Sequence, residues 1–292
     1  MDFLICFNEW FYKYWLTLIY SVIKNNKNVK CNFHIITDSL SENAKKNIKR
    51  LENASTWIFI HEFDISEFEN LKTCVHLNKY VYLRLMLDKI PNINKLSKII
   101  YLDSDMLCIK PIEDLKDISL GDCIVWAMWS KPDENIERKT TLNTSNYFNS
   151  WFMIIDVNKW IDFWVSEKTL SFIEKNPKLL QFLDQDGLNV VLDKKVHFLD
   201  VKYNYPYHNL KNMSYSDICV IHYAWNIKPW NCYYYLRWWV VYTYYYSLAN
   251  KSPFALLKIL SQSISFVIMK SDLLQYAVRH VFLFLKARKK QS

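Results

Sequence analysis

Short apolar segments alternate with segments of helical periodicity along the first 230 residues, and this alternation limits the folds open to the chain. Segments rich in β-branched and aromatic residues predict strands at 3–7, 32–37, 57–63, 99–102, 122–129, 151–157 and 217–225. Helices are expected between them at 10–24, 39–51, 79–90, 158–176 and 184–192, with Ser39 and Glu42 spaced as a capping box. Strands joined through helices run parallel, so the pattern predicts an α/β fold with a mainly parallel sheet and helices on both faces.

Composition supports a folded protein with reduced thiols. Hydrophobic residues make up 51% of the 292 residues, which excludes general disorder. The seven cysteines include no C-x-x-C pair, and several lie in apolar strand-like segments, so buried free thiols in a cytosolic protein are expected instead of disulfides or a zinc site. Asp2 and the Asn8-Glu9 pair interrupt the apolar segment that a signal peptide would need, and no apolar run is long enough to span a bilayer.

The net charge of +8 is concentrated at the C-terminal end of the chain. Beyond residue 230 there are nine basic residues and one acidic residue, Asp272, whereas the preceding part is neutral. Residues 230–246 contain ten Trp and Tyr side chains, and an apolar stripe of helical spacing follows to about Leu285. We therefore expect a catalytic or binding domain over 1–232 and an aromatic, basic, helical region over 233–292 that lies on an anionic membrane surface. Core helices with a solvated basic end are the alternative, and no motif indicates nucleic-acid binding.

Two carboxylates, Asp103 and Asp105, directly follow the predicted strand in IIYLDSDML. Residues at i and i+2 of an extended segment point the same way, so the carboxylates converge and repel unless a cation lies between them. In parallel α/β sheets, ligands bind beyond the carboxyl ends of strands, where this pair is expected. Three interpretations remain: a turn that caps backbone amides, a phosphatase of the haloacid dehalogenase type, or a divalent-cation site for a nucleotide-sugar diphosphate. The phosphatase is disfavoured because the pair follows the fourth strand and no suitable Thr comes after it.

Six segments in order resemble glycosyltransferase family 8, in particular its bacterial lipooligosaccharide galactosyl- and glucosyltransferases, over about residues 1–232. The segments are FLICFNEWF, HLNKYVYLRLML, IIYLDSDMLCIKPIEDL, NYFNSWFMIIDVNKW, FLDQDGLN and IHYAWNIKPW. The resemblance implies a glycosyltransferase-A type, Rossmann-like fold. It also implies a retaining hexosyltransferase that uses a UDP-sugar and a saccharide or glycolipid acceptor.

The resemblance also implies roles for individual residues. Asp103, Asp105 and His222 would hold Mn²⁺, with Mg²⁺ as an alternative, because a carboxylate and imidazole set suits such an ion. Gln185 and Asp184 would lie at the reacting face of the donor sugar. Nucleotide and donor contacts are expected from Phe7, Asn8, Glu9, Arg84, Asp103, Ser104, Asn149, Ser150, Asp184, Trp225 and Lys228. Acceptor contacts are expected from His76, Trp151 and Phe182.

Two departures from the family pattern bear on activity. Trp151 and Trp225 stand where the family usually has Gly, so they either stack on a sugar or obstruct the site. Retention of configuration by front-face attack is favoured over a covalent intermediate, because Gln185 is an amide and a poor nucleophile. Asp184 is the other candidate for a nucleophile. The expected protein is a cytoplasmic enzyme bound peripherally to the inner face of the cytoplasmic membrane, acting in surface glycan synthesis. A catalytically silent, membrane-associated nucleotide-sugar-binding relative is the alternative.

Overall fold

The computed structural model describes residues 1–74, 78–130, 132–206, 215–224, 228–230 and 236–252. The strands in chain order, β1 to β10, are Asp2–Cys6, Cys31–Thr37, Thr56–Glu62, Lys98–Leu102, Met106–Cys108, Val125–Trp129, Phe148–Asp156, Val196–Phe198, Tyr205–Pro206 and Val220–His222. The α-helices, α1 to α7, are Tyr12–Asn25, Glu42–Lys49, Pro132–Leu142, Val157–Asp162, Val165–Lys175, Asp184–Val191 and Leu236–Ala249. Short 3₁₀ helices are Glu9–Phe11, Ser66–Phe68, Ile93–Lys95, Glu113–Lys116, Val201–Tyr203 and Tyr215–Asp217, and a longer one is Lys79–Lys89.

A seven-stranded sheet in the order β3-β2-β1-β4-β7-β6-β8 confirms the predicted α/β class. Strands β3, β2, β1 and β4 are mutually parallel, β8 is parallel to β6, and β7 runs antiparallel to both β4 and β6. Phe3, Leu4 and Ile5 are consecutive on β1 and all fully buried, so the sheet is covered on both faces there. This is the burial expected of parallel strands that are connected through helices.

The parallel register brings the ends of β1 and β4 to the same edge of the sheet. Leu4 pairs with Tyr101, so the residues that follow β1 and those that follow β4 lie side by side. Asp103 and Asp105 therefore emerge beside Phe7 and Asn8 at the carboxyl edge. Ligands of open α/β sheets bind at such an edge.

A bulge of three residues in β7 shapes the same edge. The partner on β7 changes from Met153, opposite Ala127, to Asn149, opposite Met128. The intervening residues 150–152 have no partner on β6, and the backbone carbonyl of Trp151 accepts a hydrogen bond from Asp103 N at 3.1 Å. Bulges of this kind redirect side chains next to functional sites.

A second, three-stranded sheet in the order β5-β10-β9 was not predicted from the sequence. Strand β10 is antiparallel to β5, and His222 pairs with Met106. In addition, Tyr223 N donates to the carbonyl of Asp105 at 2.9 Å. This pairing carries His222 to the D-x-D segment across more than a hundred residues of chain.

Several predicted elements differ in detail from the structure. The predicted helix 158–176 is two helices, α4 and α5, because Trp164 between them takes a left-handed conformation with φ of 60°. The capping box at Ser39 is wrong: α2 is capped by Ser41, whose Oγ accepts from Ala44 N at 3.3 Å. Residues 79–89 form a 3₁₀ helix, α3 was missed, and the late strand is limited to β10.

The helix α6, which follows the loop at 179–183, packs closely on α5 through Gly187. A Cβ at this position would lie 2.9 Å from Thr169 Cγ2 and 3.1 Å from Ile173 Cγ1. Gly187 is one of two glycines in the chain, and here it is required by close approach and not by its own dihedral angles. The contact fixes the position of α6, whose first turn carries Asp184 and Gln185.

The six cysteines that the structure describes are free: Cys6, Cys31, Cys74, Cys108, Cys123 and Cys219. Burial raises the pKa of Cys31 to about 11 and that of Cys108 to about 12, so these thiols stay protonated near neutral pH. Cys232 lies outside the described residues.

The chain divides into two compact units, Met1–Lys228 and Pro229–Ser292. In the second unit, α7 has buried positions at Tyr242, Tyr245 and Ala249 and exposed positions at Tyr244 and Leu248. Within the described part of the chain, no helix has the length and apolar character needed to cross a bilayer. The predicted apolar stripe and the basic cluster beyond residue 252 lie outside the described residues.

Candidate active site

A pocket opens at the carboxyl edge of the large sheet, where the residues after β1 and β4 meet. Its lining combines aromatic walls with charged groups, which is the usual make-up of a small-molecule site. The lining residues are Cys6, Phe7, Asn8, Phe11, Trp15, Asn78, Tyr80, Val81, Arg84, Tyr101, Asp103, Ser104, Asp105, Trp151, Phe182, Asp184 and Lys228.

Asp103, Asp105 and His222 converge beside this pocket. Each offers one ligand atom, and these atoms all lie within 4.8 Å of one another. His222 Nε2 is 3.3 Å from Asp105 Oδ1, and among the described residues that buried oxygen has no hydrogen-bond partner. Two carboxylates and an imidazole, with an unsatisfied buried oxygen between them, fit a divalent cation.

The charges around the two carboxylates differ. Burial alone would raise the pKa of Asp105, but the Lys228 ammonium, which contacts Asp105 Oδ2, and the neighbouring imidazole of His222 hold that pKa below its usual range. Burial and the charge of Asp105 raise the pKa of Asp103, while Arg84, 3.9 Å from Asp103 Oδ1, partly offsets them. Asp105 is therefore held firmly as a carboxylate, and Asp103 is the member of the pair with the more exposed side chain.

Arg84 connects the D-x-D segment to the start of α6. The guanidinium is 4% exposed, and its Nε lies 2.8 Å from Asp184 Oδ2. Its Nη1 donates to the carbonyl of Ser150 at 2.7 Å, and its central carbon lies 4.4 Å from the centre of the Tyr101 ring. Burial raises the pKa of Asp184, the ion pair with Arg84 offsets part of this effect, and the resulting pKa is about 6. Asp184 faces the pocket on this fixed support.

Gln185 does not line the pocket in this structure. It is 1% exposed, and its Oε1 accepts hydrogen bonds from Ser150 N at 3.0 Å and Ser150 Oγ at 3.3 Å. Its Nε2 donates to Tyr147 Oη at 3.0 Å, and Tyr147 donates to the buried Asp186 at 2.6 Å. Both ends of the Gln185 amide are thus engaged by protein groups, which fix the bulge of β7 to α6.

A chain of hydrogen bonds joins His222 to the bulge of β7. His222 Nδ1 lies 2.8 Å from Asn204 Oδ1, and Asn204 Nδ2 donates to Asn149 Oδ1 at 2.9 Å. Asn149 Oδ1 also accepts from the backbone N–H of Trp151 at 3.1 Å. The Trp151 indole packs edge-on against the His222 ring, with centroids 4.7 Å apart. Asn149, predicted as a donor contact, is therefore tied to the protein and is not among the residues that line the pocket.

The residues that follow β1 lie on the other side of the pocket. Phe7 and Asn8 line it, and Asn8 Oδ1 is buried with no hydrogen-bond partner in the described residues. The carboxylate of Glu9 instead accepts from the backbone N–H of Ser41 at 3.1 Å and contacts its hydroxyl, so this side chain points toward α2.

Most of the site residues predicted from the sequence lie together at the pocket, and a few do not. Arg84, Asp103, Ser104, Trp151, Phe182, Asp184 and Lys228 share the pocket with Phe7 and Asn8. Ser150 and Gln185 lie behind it. His76 and Trp225 lie outside the described residues.

Other site residues were missed from the sequence. Phe11, Asn78 and Tyr80 line the pocket, and Tyr80 Oη donates to Asp38 at 2.7 Å. Phe11 could have been noticed as an aromatic three residues beyond Asn8. Asn204 carries no local signal, because its partner His222 is brought to it by a sheet that was not predicted.

Fold and site together define an α/β protein with an Asp-Asp-His cluster beside a pocket at the carboxyl edge of its large sheet. The model of glycosyl transferase family 8 matches residues 3–233, and the chain belongs to this family. It is 26% identical to lipopolysaccharide 1,2-glucosyltransferase of Escherichia coli K12 over 256 residues, 80% of this chain and 73% of that protein. It is 25% identical to lipopolysaccharide 1,3-galactosyltransferase of Salmonella typhimurium, over 90% of this chain and 80% of that protein.

Solved structures agree on the fold. The galactosyltransferase LgtC, in complex with donor and acceptor sugar analogs, matches with a TM-score of 0.75 at 22% identity, over 86% of this chain and 96% of LgtC. The glycosyltransferase GlyE of Streptococcus pneumoniae matches with a TM-score of 0.66 at 16% identity, over 90% of this chain and 64% of GlyE. The predicted glycosyltransferase-A fold is confirmed.

Proposed function

We propose that this glycosyltransferase transfers galactose or glucose from a UDP-sugar to a saccharide or glycolipid acceptor in lipopolysaccharide or lipooligosaccharide synthesis, with retention of configuration. The convergence of Asp103, Asp105 and His222 beside a pocket that also contains Lys228 carries the proposal. The lipopolysaccharide transferases among its relatives support the hexose donor and the acceptor class. These relatives do not favour the alternative, a catalytically silent protein that binds a nucleotide sugar.

Asp103, Asp105 and His222 are the residues that would hold the cation. Mn²⁺ is preferred to Mg²⁺, because the imidazole of His222 suits a softer ion than the all-oxygen set that Mg²⁺ selects. When bound, the ion would neutralise charge on the diphosphate of the donor. Lys228, at the pocket wall beside Asp105, would add a fixed positive charge for the same phosphate oxygens.

The nucleotide would lie against the residues that follow β1. The unsatisfied Oδ1 of Asn8 is suited to accept the imide N–H of uracil, since it is buried and faces the pocket. The backbone from Phe7 to Glu9 would lie beside the base, and the ring of Phe11 would provide a stacking surface.

The donor sugar would be held between Arg84, Asp184 and the bulge of β7. The Asp184 carboxylate would accept hydrogen bonds from sugar hydroxyls, because Arg84 Nε holds it at 2.8 Å. That ion pair also makes Asp184 a poor nucleophile, since attack would break it.

In front-face attack the bond from the anomeric carbon to the diphosphate oxygen breaks, the bond to the acceptor oxygen forms on the same face, and the acceptor proton passes to the leaving diphosphate.

Acceptor binding is proposed at Trp151 and Phe182, with His76 and Trp225 as further candidates. We further propose that the protein acts in the cytoplasm, on the inner face of the cytoplasmic membrane, with the region 233–292 on anionic lipid.

The test of function is a panel of UDP-sugars with Mn²⁺, in which UDP release and transfer to lipooligosaccharide-derived acceptors are measured separately. We expect UDP-galactose or UDP-glucose to be cleaved and transferred. UDP binding without hydrolysis or transfer for any donor would contradict the enzyme and support a silent relative.

A further inference from the structure

Asn204 is a buried residue that contacts His222 of the Asp-Asp-His cluster and has no role in the proposed function. It follows the 3₁₀ helix Val201–Tyr203, immediately before β9, and is 1% exposed. Its two amide atoms face different groups: Oδ1 lies 2.8 Å from His222 Nδ1, and Nδ2 lies 2.9 Å from Asn149 Oδ1.

The orientation of both amides follows from one backbone donor. The N–H of Trp151 can only donate, so the Asn149 atom 3.1 Å away from it is the oxygen. The Asn204 atom that faces the same oxygen must then be the amide nitrogen, and the other end of Asn204, its oxygen, faces His222 Nδ1. An amide oxygen can only accept a hydrogen bond, so Nδ1 carries the proton.

A proton on Nδ1 leaves Nε2 of a neutral imidazole with a lone pair, 3.3 Å from Asp105 Oδ1. These are two acceptors facing each other in a buried site, and a cation between them satisfies both. Histidine ligands of metals generally donate their other ring N–H to an oxygen in this way, which fixes the ring and its tautomer.

We propose that Asn204 is a positioning residue that holds His222 as the Nδ1–H tautomer, with Nε2 directed at the cation, and that Asn149 links this support to the bulge carrying Trp151. This inference rests on the proposed function, since it assigns a cation to the Asp-Asp-His cluster. It also gives Asn149 a role separate from the donor-sugar contact that the family resemblance implies.

The test uses the full chain and four variants. Asn204→Leu removes both hydrogen bonds at similar volume, whereas Asn204→Asp keeps an acceptor for Nδ1–H. Asn26→Leu is the matched control, because Asn26 is equally buried at 1% exposure and its amide bonds the backbone of Val22 and Ile112 instead of His222. Mn²⁺ affinity is measured by electron paramagnetic resonance with UDP present. The His222 tautomer is measured by nitrogen-15 NMR of metal-free, histidine-labelled protein and assigned with His222→Gln.

We expect the wild type to show the Nδ1–H tautomer and Asn204→Leu to bind Mn²⁺ about 10- to 100-fold more weakly. Asn204→Asp should keep the tautomer and lose less affinity, and Asn26→Leu should bind Mn²⁺ as the wild type does. Unchanged affinity in Asn204→Leu, an equal loss in Asn26→Leu, or an Nε2–H tautomer in the wild type would overturn the proposal while leaving the proposed function standing. A wild type that binds no Mn²⁺ with UDP present would overturn both. If Asn204→Leu does not fold, the wild-type tautomer and the Asn204→Asp affinity decide.

Discussion

Trp151 lies in the bulge of β7 with its backbone carbonyl bonded to Asp103 N and its indole packed edge-on against His222. The indole therefore forms a wall of the pocket directly beside the cluster. Such a wall can stack on the acceptor sugar, or it can obstruct the acceptor path.

If the indole stacks on the acceptor, Trp151→Gly, alone or combined with Trp225→Gly, should lower the rate of transfer about tenfold while donor hydrolysis persists. A loss of this size corresponds to the free energy of one aromatic contact. The two rates are measured separately with the same UDP-sugar, and Trp151→Phe should retain more transfer than Trp151→Gly. A gain of activity in the double variant over a silent parent would mean that the indoles obstruct the site.

His61 is expected to make folding stability depend on pH. Its Nε2 lies 3.3 Å from His34 Nδ1, and burial together with the charge of His34 lowers its pKa from 6.5 to about 4. Below pH 6.5 the unfolded chain binds a proton that the folded protein does not, so the free energy of unfolding falls as pH drops from about 6.5 to about 4.

Denaturant unfolding at pH 7.5, 5.5 and 4.5 measures this contribution. His61→Gln should make the decrease shallower than in the wild type, and His197→Gln, which changes an exposed histidine, should not. Equal slopes for the wild type and His61→Gln would refute the assignment.

At the scale of elements, the position of α6 depends on the absence of a side chain at Gly187. Gly187→Ala adds a methyl 2.9 Å from Thr169 Cγ2, and overpacking of this kind costs about 1–3 kcal/mol in the free energy of unfolding. A shift of α6 also moves Asp184 and Gln185, so transfer should fall together with stability.

The double variant Gly187→Ala with Thr169→Ser removes the obstructing methyl and should recover part of both losses. Thermal unfolding and the rate of transfer are measured on the same preparations. If the single variant is as stable and as active as the wild type, α6 has room to move and the packing argument is wrong.

The elements also show what could be predicted from sequence and why. Strands β1 to β4 were predicted because each is a short apolar run, and Asp103 and Asp105 were assigned to a strand end because their spacing is local. His222 was linked to them through resemblance, since the β5-β10-β9 sheet that brings it there joins strands of two or three residues each. Asn204, Tyr147 and Tyr80 were not predicted, because their roles come from tertiary hydrogen bonds.

At the scale of the whole molecule, the region beyond Lys251 is predicted to bind a membrane surface and to be dispensable for chemistry. Each Lys or Arg near an anionic surface contributes about 1 kcal/mol, and the apolar stripe adds burial in the interface. A chain ending at residue 252 should lose binding to phosphatidylserine or phosphatidylglycerol vesicles and retain transfer to a soluble acceptor.

Vesicle sedimentation at low and high salt measures this binding, and vesicles of neutral lipid are the control. Binding of the full chain should weaken with salt, because screening reduces the electrostatic part. An unfolded truncated protein would show instead that these residues belong to the core.

Metal-dependent cleavage of a UDP-hexose at Asp103, Asp105 and His222 is tested most directly by UDP release from the preferred donor, with and without Mn²⁺, in the wild type, Asp103→Asn and Asp105→Asn. We expect chelation to abolish release in the wild type and Mn²⁺ to restore it. Each variant should lose at least about 100-fold while keeping its fold, because each carboxylate serves the cation and not the core. Asp193→Asn, which alters a carboxylate that accepts a hydrogen bond from Ser145 N at 2.8 Å and does not line the pocket, should behave as the wild type. Release that continues after chelation, or that survives in Asp105→Asn, would contradict a metal-dependent transferase at this site.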